Sequence, residues 1–301
     1  MDVSDRGVSS VLDAALFALF VGGAVLTLTM PAAPAPETDR ADAVADTLAT
    51  TTADVSHTLA PGAAGSSGRG VAFPWTCGPS FRRTAHGTLA EHLATAAVGA
   101  VTVDGERVTH TYADFTGAVR NATRNATRNR HQRVAVRAVW APYPGAPVRG
   151  QVDVGPRPPP TATVHAARLT VDSGMPATRR SALAAARNDS YEAVAEVVAD
   201  GVVSGVFPPN ATRQALLADY PVNRLADARY RRFGRVLGTD TTGFVDVHAN
   251  ERDVRGANDE LRRVLADRLA RDMRTRFESP RAAARAVRVG DVTVVVRTWS
   301  P

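Results

Sequence analysis

The stretch from Val8 to Met30, VSSVLDAALFALFVGGAVLTLTM, is 23 residues long and carries a single charge, Asp13. A helix rising ~1.5 Å per residue needs about 20 such residues to cross the ~30 Å hydrocarbon core of a bilayer. The run therefore predicts a transmembrane helix over 8–30, and the rest of the chain must be organised around it. Pro31, Pro34 and Pro36 close the run, because proline offers no amide to a helix. The leader MDVSDR is not basic overall, and the run is long for the core of a cleaved secretory signal. A retained single-pass anchor in the cell membrane is expected.

The flanks set its direction. Arg6 and the α-amino group precede the run, and the net acidic PETDRADAVAD follows it. That asymmetry predicts a cytoplasmic N-terminus and an external bulk. Four N-x-[ST] sequons lie in that bulk, at Asn121, Asn125, Asn188 and Asn210. The tandem NATRNATRN in particular is expected to be a glycosylated, extracytoplasmic surface.

A carboxylate at the centre of a bilayer helix costs about 2.5–3.5 kcal/mol, and less near the interface. Asp13 lies five residues, roughly 7–8 Å, inside the start of the run, so it can partly reach water. The alternative is a cationic partner that appears only on assembly. Ala14, Ala18 and Gly22 are spaced by four, the pattern that lets a second helix approach closely in lipid.

The segment DRGVSSVLDAALFALFVGGAVLTL resembles the class III signal of archaeal type IV pilins and pilin-like proteins. In that family a short polar leader ends in a basic and a small residue, followed at once by the hydrophobic helix. Arg6 and Gly7 match the end of the leader, and Val8 matches the first residue of the helix. The resemblance implies cleavage after Gly7 by a prepilin peptidase, leaving an ammonium on Val8 to face Asp13 of a neighbouring subunit. Asp13 is sixth from Val8 where many pilins have their acid fifth, a rotation of ~100°. The remainder is similar in flavour to uncharacterised membrane-anchored proteins that Haloarchaea make alongside pilus-type secretion machinery.

Beyond the anchor the composition is that of a folded protein, 44% hydrophobic and 22% charged. All 36 basic residues are arginine, and the net charge of +6 is spread along the chain, which argues against a nucleic-acid partner. The one cysteine, Cys77, cannot form an intramolecular disulfide and is expected as a buried or loop thiol.

Periodicity predicts an α+β fold with a mostly antiparallel sheet and several helices. Residues 1–7 form the leader and 31–70 a stalk, with a short helix over Asp39–Thr52 and a strand over Asp54–Leu59. Residues 71–175 form an α+β region, with helices over Thr84–Ala97 and Phe115–Arg128. Its hairpin over 100–112 turns at Asp104-Gly105, and strands follow over 133–142, 148–154 and 161–171. Residues 176–301 form a helix-rich region packed with the preceding one. Its helices are expected over Arg180–Val203, 211–218, 223–236 and Asn250–Phe277, and a central strand over 286–299 closes it.

The chain carries no phosphate loop, dinucleotide-binding loop, zinc-protease helix or nucleophile elbow. Its seven histidines have no ligand spacing. No enzymatic activity, metal or cofactor is expected. Two arginine groups stand out. Those on the long helix have acids three or four residues away and form a solvated face. The Arg120–Arg133 cluster has no acids nearby in sequence, and so suits an acidic partner such as a glycan-bearing envelope layer, lipid headgroups or extracellular DNA. Glycans on Asn121 and Asn125 would obstruct that docking. The favoured function is a pilin-like structural or accessory subunit of a type IV pilus or related secretion apparatus, meeting its own kind through the N-terminal helix. The alternative is a static, unprocessed envelope protein whose external domain binds a partner, or an anchored enzyme of unrecognised type.

Overall fold

The computed structural model describes residues 37–59, 73, 75, 77–109, 111–128, 132–246 and 251–300. The leader, the apolar run and the residues assigned to processing and assembly (Arg6, Gly7, Val8, Asp13, Ala14, Ala18 and Gly22) lie outside them. No helix among the described residues is long and apolar enough to cross a membrane. The chain divides at Arg40/Ala41 into two units, of which 41–301 holds the fold.

The fold is α+β. Helix α1 (Glu37–Thr50) leads into strand β1 (Thr52–Thr58), which pairs antiparallel with β2 (Arg82–Thr88). Ala41, Ala45 and Leu48 recur at helical spacing and are buried with Val55 in the main core. Residues 41–58 are thus packed into the domain core rather than forming part of a stalk; residues 31–36 and 60–70 of the stalk expected over 31–70 lie outside the described residues.

Helix α2 (Leu89–Gly99) begins where the Thr88 hydroxyl accepts from the Glu91 amide and the Glu91 carboxylate accepts from the Thr88 amide. This reciprocal pair satisfies two free helix donors. It also ends β2, so the helix expected from Thr84 starts five residues later and Thr84–Thr88 is strand. His92, inside α2, is buried with its Nε2 2.8 Å from the Ala53 carbonyl.

The main sheet has six strands in the order β4-β3-β6-β5-β10-β7, all antiparallel. The two short strands β3 (Thr102–Val103) and β4 (Glu106–Arg107), of which β4 is the edge, turn at Asp104 and Gly105, with φ of 49° and 85°. Positive φ at both central residues is the hairpin turn that Asp-Gly favours. Strands β5 (Arg133–Trp140), β6 (Val148–Val154), β7 (His165–Asp172) and β10 (Asp291–Trp299) make up the rest. Between β4 and β5 runs α3 (Ala113–Ala126), which buries Phe115, Val119 and Thr123. Helix α2 packs across β6, β5, β10 and β7.

The helical part follows β7. A single helix was expected over Arg180–Val203; the structure has α4 (Arg179–Ala185), a 3₁₀ turn to Asn188 and α5 (Tyr191–Val206). Asp189 is left-handed at φ 50°, and the Ser190 hydroxyl caps α5 by accepting from the Ala193 amide. Helices α6 (Pro209–Leu217) and α7 (Val222–Leu237), the small β8–β9 pair (Val245–Asp246, Glu251–Arg252), α8 (Val254–Arg276) and α9 (Pro280–Ala286) complete it. Helices α5 and α8 pack along each other, with Val194, Val198 and Val202 on one and Leu261, Leu265 and Leu269 on the other fully buried.

Candidate functional site

Strand alternation gives the sheet two unlike faces. Val136, Ala138, Val152, Val154, Val292, Val294 and Val296 enter the core, whereas Gln151, Asp153, Arg137, Val139, Thr293, Val295, Arg297 and Arg168 take the opposite, outer face. Registers place Asp153, Arg137, Val295 and Arg168 on one rung across β6, β5, β10 and β7. On the next, Ala135 stands opposite Arg297.

The sole acid of this rung is fully engaged. Arg137 Nε donates to Asp153 Oδ1 at 2.6 Å, Gln151 Nε2 donates to Oδ2 at 2.6 Å, and Arg120 Nε of α3 donates to the Asp153 carbonyl at 3.1 Å. Partial burial pushes the Asp153 carboxyl up. The Gln151 and Arg137 hydrogen bonds, with the Arg137 and Arg120 charges, outweigh that and hold it below the usual carboxylate range.

Immediately after β6, Gly155 has φ 85°, and a Cβ there would stand 2.2 Å from the Val134 carbonyl oxygen. Only glycine permits this approach. The turn places Pro156, Arg157 and Pro158 beside the sheet, where with Arg137, Asp153, Val295 and Arg297 they line a depression of about 110 Å³. It holds three guanidinium groups and one carboxylate. Chemically it can receive an oxyanion, since guanidinium donors match a two-oxygen edge.

The sequence-based expectations map onto this geometry unevenly. Arg120, Arg124, Arg128 and Arg133 are exposed, but the expectation that the cluster lacks acids is corrected by Asp153 from a distant strand, and Arg124 donates to the Asn121 side chain. Asn121 and Asn125 on α3, Asn188 in the 3₁₀ turn and Asn210 on α6 are all exposed. Thr123 and Thr212 of two of these sequons are buried. Cys77 is exposed in a loop. On α8, Glu260 pairs with Arg263 at 2.8 Å and Asp272 with Arg276 at 3.1 Å, while Arg271 bonds the Asp267 carbonyl rather than its carboxylate.

Sequence reasoning missed Arg137, Asp153, Arg157, Arg168 and Arg297. Outward positions were readable from the alternation in RVAVRAVW and VTVVVRTW, but nothing local says that these strands are neighbours. Among the described residues no group of three potential metal ligands occurs. The His86–Asp54 pair on β1–β2, at 2.6 Å, is an exposed cross-strand contact.

No curated protein and no solved structure matches the chain. A family model does match, over residues 12–299, from within the apolar run to the last residue of β10. The chain belongs to a family of unknown function, DUF7284.

Proposed function

We propose that this chain is a single-pass membrane-anchored, pilin-like structural or accessory subunit of an archaeal type IV pilus or related secretion apparatus. Its α+β domain stands outside the cell, and its role is structural rather than enzymatic. The observation that carries this reading is the apolar run over 8–30 directly after Arg6-Gly7. Two others support it. The family match begins at residue 12, inside that run, and so takes in most of the apolar segment together with the domain. All four sequon asparagines stand exposed on the domain.

The test is N-terminal sequencing of the native protein from membranes, with protease treatment of intact cells. A mature N-terminus at Val8, a domain degraded from outside, and an uncut, heavier Gly7→Leu variant are expected. A native N-terminus at residue 1 or 2 would leave the second reading, a static envelope anchor. The observation favouring that reading is the arginine-rich outer face of the sheet, which suits a partner other than a second subunit.

A further inference from the structure

Around the depression the outer face of the sheet is cationic beyond what the nearby acid neutralises. Arg120, Arg137, Arg157 and Arg297 lie on or beside the depression with Arg168 one strand away, against Asp153; Asp172 and Asp291 share this face at the far end of β7 and β10. Arg137 is held by Asp153; among the described residues the guanidinium groups of Arg157 and Arg297 have neither an ion-pair nor a hydrogen-bond partner. We propose that this depression binds a carboxylate or sulfate group of an acidic saccharide chain lying across the outer face of the sheet.

Size narrows the ligand. A drug-sized molecule fills ~300–1,000 Å³, so about 110 Å³ takes one terminal group and leaves the rest of the ligand on the surface. Part of the wall is fixed in advance. Arg137 is oriented by Asp153, and the backbone that carries Arg157 is restricted by Pro156 and Pro158 on a turn that only Gly155 allows.

The remaining polyanions fit less well. From Ala135 to Val139 and from Thr293 to Arg297 the face carries no aromatic side chain, and single-stranded nucleic acids are gripped largely by base stacking. A peptide that adds as a strand needs a free sheet edge, whereas Arg137 and Arg297 stand on the interior strands β5 and β10. A chain recognised by its anions alone is what these arginines suit. The saccharide assignment rests on the reading that the domain lies outside the cell; the depression itself does not.

The experiment uses the full chain in detergent, titrated at low ionic strength with polygalacturonate and dextran sulfate. Uncharged dextran, inorganic sulfate and duplex DNA are the comparison arms. Arg157→Gln/Arg297→Gln is expected to weaken polyanion binding about tenfold with its thermal midpoint unchanged. Arg281→Gln/Arg285→Gln, the same charge change on α9, stays within about twofold of wild type. Inorganic sulfate should compete at high concentration, and binding should fall with salt. Equal losses in both double variants, binding to uncharged dextran, or tighter binding of DNA than of either polysaccharide would each overturn the proposal. Protease treatment of intact cells reads the location separately, so a misplaced domain and an absent site give different results.

Discussion

Gly150 of β6 lies directly against the Ala97 carbonyl of α2: a Cβ at Gly150 would stand 1.9 Å from that oxygen. The absence of a side chain lets α2 seat its C-terminal end on the sheet. Gly150→Ala must push helix and sheet apart, an overpacking that costs about 2–3 kcal/mol. Differential scanning calorimetry should show a midpoint lower by several degrees, and Gly117→Ala, inside α3 where a Cβ meets nothing within 4 Å, should instead stabilise by about 0.5–1 kcal/mol.

A second prediction concerns Asp227, fully buried on α7, whose Oδ1 accepts from Arg231 Nε at 2.8 Å. Arg231 also reaches Asp246 at 3.0 Å. Asp227→Ala leaves the mostly buried Arg231 guanidinium with Asp246 as its acid partner, so the cost stays below the roughly 3–5 kcal/mol of an uncompensated buried charge and should be about 2 kcal/mol. Asp246 is more exposed, so Asp246→Ala should cost about 1 kcal/mol or less. Denaturant melts that rank these two in the opposite order would refute the argument.

Stability should be sensitive to acid and to strong base. Several carboxyls sit below their ordinary values of 3.8 or 4.5: Glu91 through the Thr88 amide, Asp240 through the Thr242 amide, Glu260 through Arg263, and Asp153 as described. A depressed carboxyl binds fewer protons folded than unfolded. Its contribution is complete above the ordinary value and is lost as pH falls through the lowered one. At the other end, burial raises the Tyr143 and Tyr230 phenols above their ordinary 10.0, with the Asp272 charge adding to the effect on Tyr143. Raised phenols lose their contribution as pH climbs above 10.0. A plot of thermal midpoint against pH should therefore be flat from about 6 to 9 and fall on both sides.

Glycosylation can be placed more finely. Both Asn121 and Asn125 are exposed, but Thr123 is fully buried and Thr127 only half-buried. Modification at Asn125 leaves the packed side of α3 less disturbed. Intact-mass spectrometry of native protein should find at least one of the two occupied, with Asn125→Gln removing the larger share. A bare polypeptide mass would end this prediction.

Asp13→Asn should leave membrane insertion intact while reducing crosslinking between subunits, because a neutral side chain no longer meets the Val8 ammonium of a neighbour. Unchanged crosslinking would sever the proposed link between Asp13 and assembly.

Local signals carried much of the fold. The Asp104-Gly105 hairpin, strands β5 to β7, the long helix α8 and the alternation of β10 all follow from turn chemistry and period. The strand β2 was missed because RRTAHGT has no apolar alternation to read. Yet Thr88-Leu89-Ala90-Glu91 carries the capping signature that dates the start of α2. Asn188-Asp189-Ser190 likewise marked the break before α5, in a stretch whose alanines masked it. The stalk expectation failed because α1 buries mainly two alanines and a leucine, a weak apolar stripe. The arginine-rich face was not legible at all: Arg137 and Arg297 are 160 positions apart in the chain, and only the pairing of β5 with β10 brings them together.

That same pairing governs how the molecule can be made. Strand β7 has β10 as its one neighbour, and β10 is also the partner that joins β7 to β5. Synthesis supplies β5, β6 and β7 first, then the six helices α4 to α9 and the β8–β9 pair, and β10 after all of them. Until residues 291–299 emerge the sheet stands in two parts, with the apolar sides of Val136, Ala138 and Ala167 lacking the strand between them. A chain emerging N-terminus first must therefore delay its final collapse, or be shielded, through more than a hundred residues of synthesis.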